Sequence, residues 1–406
     1  MIVTDDNNCG YQQVVKKEFS IMNEVFYEGI TLDDRAVKVA AADGVITGIS
    51  EIPRREGLPR LLPVLVDLQQ NGALGFAFNH LHENNTAEAL EKIGSHLLAN
   101  GVGRVLATLP TAPYEVLETA AECIGKVLDG NEKLNKLYAG IFHEGVFISP
   151  DKGWRGGHKP EYILPPDYRK FSRLNSLCGN RVKLVNVAPE VDGALNFIEQ
   201  AAADGIKVAI GHCHPDTATI REAAKCGAEM VTHFANGAAP EIHRFKNPFW
   251  GFLAEEGLAL GLVGDGFHLP PEVTKTALAV KGHERCFMVS DANMFSGCAP
   301  GIYQRIGGLD CQIESNGFIH VVDQDILAGA WFQNNRSVEY LVNNGLADFE
   351  TAWRMCSIIP AKLGGIELPE LTSGAEATFV LAEFADTKLN IRKTVFCGKE
   401  YPNNRQ

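Results

Sequence analysis

KVAIGHCHPDTATIREAAKCGAEMVTH, residues 207–233, holds one complete unit of the chain's architecture. KVAI is a short apolar run, the pattern of a strand covered on both faces. TIREAAKCG spaces its apolar residues as a helix does and stops at Gly227. MVT is apolar again. His212 ends the first run and His233 ends the second, about one β/α unit further on.

The same alternation extends in both directions. Upstream, strand-like runs read LLPVLVDLQ, VGRVLATLP, KLYAGIF and KLVNVAP; downstream they read LALGLVGD and CFMVSD. Helix-like stretches such as EALEKIGSHLLANG and GALNFIEQAAADG lie between them. Repeated β-then-α units predict an α/β fold, a (β/α)8 barrel over residues 61–365. A doubly wound sheet fits the periodicity nearly as well, but no GxGxxG follows a strand to favour a dinucleotide fold. Residues 24–60 show short alternating runs broken by DD and DG, and ATFVLAEF and IRKTVFCGKEY return to that pattern. These ends, 1–60 plus 366–406, are expected to pair into one small β-sandwich domain. Residues 1–20 read as a polar tail.

Composition narrows the function. The chain has 406 residues, 45% hydrophobic and 21% charged, enough for a full core. Its net charge of −13 argues against nucleic acid or an anionic membrane as partner. A phosphorylated small molecule stays open, since one local basic pocket suffices. The start, MIVTDDNNCG, lacks the apolar stretch of a secretory signal. No apolar run reaches the ~18 residues of a membrane span. Ten scattered cysteines, without a CxxC pair, suggest reduced thiols and a cytoplasmic setting.

Polar residues with metal-binding chemistry recur at one structural position. Glu144 follows KLYAGIF, Glu190 follows KLVNVAP, His268 lies past LALGLVGDG, and Asp291 ends CFMVS. With His212 and His233 they would meet at the C-terminal face of a barrel. A lone histidine there is more often a hydrogen-bonded structural residue, and a lone carboxylate more often a helix cap. Their recurrence after successive strands points to a metal site. Two imidazoles and a carboxylate are a common catalytic zinc set.

Here the residues carry a family resemblance. VDLQQNG (66–72), HEGVF (143–147), GHKP (157–160), APE (188–190), GHCHPD (211–216), THFANGA (232–238), DGFH (265–268) and VSDAN (289–293) stand in a series. In order and spacing that series resembles the N-acetylglucosamine-6-phosphate deacetylases of the amidohydrolase superfamily. The resemblance implies a metal-dependent hydrolase, with Glu144, His212 and His233 as ligands and Asp291 as the catalytic aspartate. Where many superfamily members carry HxH on the first barrel strand, this chain reads Gln69-Gln70-Asn71. That implies one divalent ion, zinc first, with iron(II), cobalt or manganese also suited. Gln69 would then hydrogen-bond the metal water or the substrate, or with Asn71 simply tie down a loop.

On the substrate side, the resemblance assigns His158, Asn236, Gly237, Arg244 and His268 to an amino-sugar phosphate. It also implies a homo-oligomer, commonly a dimer. The chain departs from the family in places. The segment AAPEIHRFKNPFWG is longer and more aromatic, a modified anion pocket or a solvated basic loop. His214 adds a second histidine beside His212, either supporting the site or serving a second ion. Val146, Lys159 and the GAEATFVL stretch also differ from the family pattern. These departures bear on substrate more than on fold. Two other readings therefore stand: an amidohydrolase for another N-acyl or cyclic amide, and a sugar-phosphate-binding homologue without catalysis.

Overall fold

Leu65–Gln70 and Val102–Leu109 are buried at every position, as strands covered on both faces must be. They begin the central sheet in a computed structural model that describes residues 24–305, 310–323 and 327–403. The tail expected over residues 1–20 lies outside the described residues.

The central sheet has eight strands. They are β1 (Leu65–Gln70), β2 (Val102–Leu109), β3 (Tyr138–His143), β4 (Val182–Val187), β5 (Lys207–Ile210), β6 (Ala228–Val231), β7 (Ala259–Val263) and β8 (Cys286–Val289). Each pairs in parallel with its sequence neighbour. Gln70 bridges Ala292 in parallel, so the ends of β1 and β8 meet and the sheet curls into a nearly closed barrel. Asn334 ties the same seam, donating from Nδ2 to the carbonyls of Val66 and Met288. This closure decides between the barrel and the doubly wound sheet.

Helices lie between the strands. In the quoted unit, Asp216 caps Thr217–Cys226 by accepting from the Thr219 N–H at 2.8 Å. Such a cap stabilises a helix by ~1 kcal/mol. Ile220 and Ala223 face the core, and Gly227 ends the helix at φ 115°, a left-handed turn suited to glycine.

Strands from both chain ends form a second sheet of seven. Arg60–Leu62 pairs in parallel with Val25–Ile30 on one side and antiparallel with Phe379–Ala385 on the other. Ala36–Ala42 alternates buried and half-buried positions, unlike the barrel strands. A bridge from Val45 to Glu376 curls the sheet around a core that includes Tyr27, Val37, Leu61, Phe379 and Val395. Arg104 of β2 joins the two bodies. It is buried, pairs with Glu376 at 3.2 Å and lies over the Phe396 ring.

One element had no sequence signal. Gly301–Tyr303, Cys311–Ile313 and Ile319–Val321 form a small antiparallel sheet after β8. Strands of three residues are too short to show a period. Phe318 between the last two packs on Phe267 of the loop after β7, ring centroids 5.3 Å apart. Among the described residues, no helix is long and apolar enough to cross a membrane.

Candidate metal centre

Three strand ends deliver Glu144, His212 and His233 to one buried point. Their ligand atoms lie within 4.8 Å of one another. Oε1 of Glu144 is 3.2 Å from Nε2 of His233 and 3.5 Å from Nε2 of His212. Asp291 stands beside them. Gln69 links the two acids, with Nε2 3.0 Å from Glu144 Oε1 and 3.3 Å from Asp291 Oδ1. Asn71 donates to the same Asp291 oxygen at 2.8 Å, and Asn236 to the other at 3.2 Å.

The backbone here is strained. His212, His233 and Asp291 have φ of 50°, 28° and 50°, in the region that favours glycine. Side chains hold such conformations only where the surroundings over-determine them, and they cluster at functional sites. The surroundings are on view at His212. Its carbonyl accepts from the Ser149 N–H at 2.9 Å. Its Nδ1 lies 3.3 Å from the Trp154 carbonyl, and its Nε2 lies 3.3 Å from Nε2 of His158. Gly156 and Gly237, both at positive φ, approach the imidazole with bare backbone.

Charge follows from this packing. Burial acts to raise the Glu144 carboxyl, but hydrogen bonds from His212 and His233 hold it well below the usual carboxylate range. Burial pushes Asp291 up, and nearby Glu144 adds to this against the opposing pull of His233. Burial, with His212 adding, brings His158 down to about 3. Burial acts to lower His268, but its bond to Asp265 at 2.7 Å raises it overall. Its other nitrogen is buried and has no hydrogen-bond partner among the described residues.

Several expected residues lie elsewhere. Glu190 accepts from the His214 backbone N–H at 2.7 Å rather than joining the cluster. The His214 ring turns to Asp151 at 2.8 Å, and it is outside the cation-holding group found among the described residues. Arg244 is exposed, its guanidinium 5.2 Å from the Phe245 ring centroid. The structure adds Thr232, which donates to Gln69 Oε1 at 2.6 Å, and Asp265 behind His268. Both stood inside motifs, next to the residues that drew attention. The carbonyl of Trp154 had no sequence signal, because any residue type supplies one.

No protein-family model matches the chain. It is 28% identical over 289 residues to an N-acetylglucosamine-6-phosphate deacetylase of Bacillus subtilis (strain 168), covering 69% of each chain. It is 26% identical over 356 residues to an N-acetylgalactosamine-6-phosphate deacetylase of Escherichia coli O157:H7, covering 86% of this chain and 90% of that one. Among solved structures, an N-acetyl-D-glucosamine-6-phosphate deacetylase from Mycobacterium smegmatis superposes with a TM-score of 0.80. That match has 22% identity and covers 93% of this chain and 99% of that one, a likeness of fold. The resemblance carried by the motifs is borne out by these relatives, and the barrel by the shared fold.

Proposed function

We propose that this chain is a metal-dependent deacetylase that hydrolyses the N-acetyl group of N-acetylglucosamine 6-phosphate or a closely related amino-sugar phosphate. The observation that carries this is one buried Glu144, His212 and His233 donor set with Asp291 held beside it. The reading rests also on relatives that are amino-sugar-phosphate deacetylases.

The donor set fits a divalent cation. Among the described residues no lysine or arginine pairs with Glu144, and its ion-pair contacts there are to the two imidazoles of His212 and His233. One carboxylate and two imidazoles suit zinc first, and iron(II), cobalt or manganese as well. When bound, such an ion polarises a carbonyl and lowers the pKa of water.

The chain's own residues do the rest. Asp291 takes the proton of the attacking water on a carboxylate oxygen and later gives it to the leaving nitrogen. A pKa raised by burial suits both acts, because an acid–base group works best near the operating pH. Gln69, Asn71 and Asn236 fix its rotamer. His158 and His268 face the substrate, the latter with its free nitrogen oriented by Asp265. Gly237 lets the backbone come close enough to offer its N–H. Arg244 would meet the phosphate at the mouth, where the 241–246 loop is exposed. A cytoplasmic homodimer, with a barrel over 61–365 and a small domain of 1–60 plus 366–406, completes the reading.

The test is acetate release from N-acetylglucosamine 6-phosphate, with metal assayed on the same protein. Turnover with about one ion per chain is expected. Metal without turnover on this sugar or its galacto isomer would reject the substrate class. Neither metal nor turnover after reconstitution would reject the enzyme.

A further inference from the structure

Asp67 is fully buried, yet it lies outside the cluster of ligands. Burying a carboxylate is costly unless donors surround it. Burial has raised its pKa to about 7. Its donors are informative. The Ser290 N–H reaches Oδ1 at 3.1 Å, the Ser290 hydroxyl reaches Oδ2 at 2.5 Å, and the Gln69 N–H reaches Oδ1 at 3.2 Å. All three belong to residues next to the proposed proton shuttle or to its amide partner.

Ser290 passes the constraint on. Its hydroxyl oxygen accepts from the Ala292 N–H at 3.1 Å. The Asp291 N–H donates to the Gln69 carbonyl at 3.0 Å. The peptide groups on both sides of Asp291 are thus tied down, and it is the residue held at φ 50°. Gln69, whose side chain touches both Glu144 and Asp291, is fixed through its N–H by the same carboxylate.

We propose that Asp67, acting through Ser290, is a positioning residue that holds Asp291 in its left-handed conformation and aims its carboxylate at the substrate. It touches neither ligands nor substrate. Its effect runs through the Ser290 hydroxyl and the Ser290 and Gln69 N–H groups at the seam where β1 meets β8. The inference rests on the reading of Asp291 as the proton shuttle.

The test compares full-length Asp67→Ala, Asp67→Asn and Ser290→Ala with the wild type. In Asp67→Ala, kcat on N-acetylglucosamine 6-phosphate should fall on the order of 10²-fold, as for a misplaced catalytic group. KM should stay within about threefold and metal content should not change. Asp67→Asn keeps an acceptor for the Ser290 and Gln69 N–H groups and should recover to within about tenfold of wild type. A crystal structure of Asp67→Ala should show Asp291 out of the left-handed region with its Asn71 bond lost. If Asp67→Ala does not fold, Ser290→Ala carries the same comparison. An unmoved Asp291, or a loss of metal in step with kcat, would overturn the proposal. If the wild type does not turn over this sugar, the deacetylase reading fails alone, and the position of Asp291 in the variant crystals still decides this one.

Discussion

Gly237 lies against the imidazole of His212: a Cβ on Gly237 would stand 2.3 Å from Nδ1. Its φ of 58° adds strain for any other residue. Gly237→Ala should therefore push His212 away from Glu144. The expected result is protein that folds but binds metal at least tenfold more weakly, read by metal titration. Metal affinity equal to wild type would show that the loop yields instead.

Asp291→Asn keeps the shape and removes the base. Turnover should fall by about 10²–10⁴-fold, the range for a lost general acid–base group. Metal content should hold at the wild-type level. Loss of metal in the variant would make Asp291 a ligand.

Arg244 is set on the exposed 241–246 loop, over Phe245. Arg244→Ala should raise KM for the phosphorylated sugar several-fold and leave kcat within about twofold. An equal effect on the unphosphorylated sugar would remove Arg244 from phosphate recognition.

Chelation followed by thermal unfolding tests the donor set. An ion that binds only the folded chain stabilises it by about 2.7 kcal/mol at a hundredfold excess over Kd. Stripped protein should melt lower and recover with zinc. His233→Ala should melt at the same temperature with or without the ion; a shift as large as that of wild type would place the cation elsewhere.

The Arg104–Glu376 pair gives a pH dependence of stability. Burial acts to raise the Glu376 carboxyl, but bonds from Thr378, Lys136 and Arg104 hold it below the usual range. A depressed carboxylate stabilises the fold above its unfolded pKa, about 4.3. That contribution is lost as pH falls through the lower folded value. Glu376→Gln should cost about 1.5–3 kcal/mol at neutral pH, as for a hydrogen bond to a charged group. The gap in melting temperature from wild type should narrow in acid. A gap that stays constant down to pH 3 would mean the charge of Glu376 is immaterial.

The barrel was legible because its strands are short, largely apolar runs and some of its helices carry a cap or a glycine stop, as Thr217–Cys226 does with Asp216 and Gly227. Glu144, His212, His233 and Asp291 were legible because strand ends converge on one face. Other features required three dimensions. Nothing in VDLQQNG distinguishes the Asp67 that faces Ser290 from a solvent-facing acid. His214 shares a motif with His212, yet a single Glu190 carboxylate on its N–H helps turn it toward Asp151. Arg244 is one of several cations on its loop, and sequence does not say how far a loop extends into solvent.

The sheet shared by the chain ends has a consequence during synthesis. Arg60–Leu62 lies between Val25–Ile30 and Phe379–Ala385. At the ~5–20 residues per second of a ribosome, its first neighbour is present tens of seconds before its second. Throughout that wait Arg60–Leu62 offers an unpaired edge, the kind of template that recruits foreign strands. A nascent chain would carry that exposed edge until Phe379–Ala385 arrives to cover it.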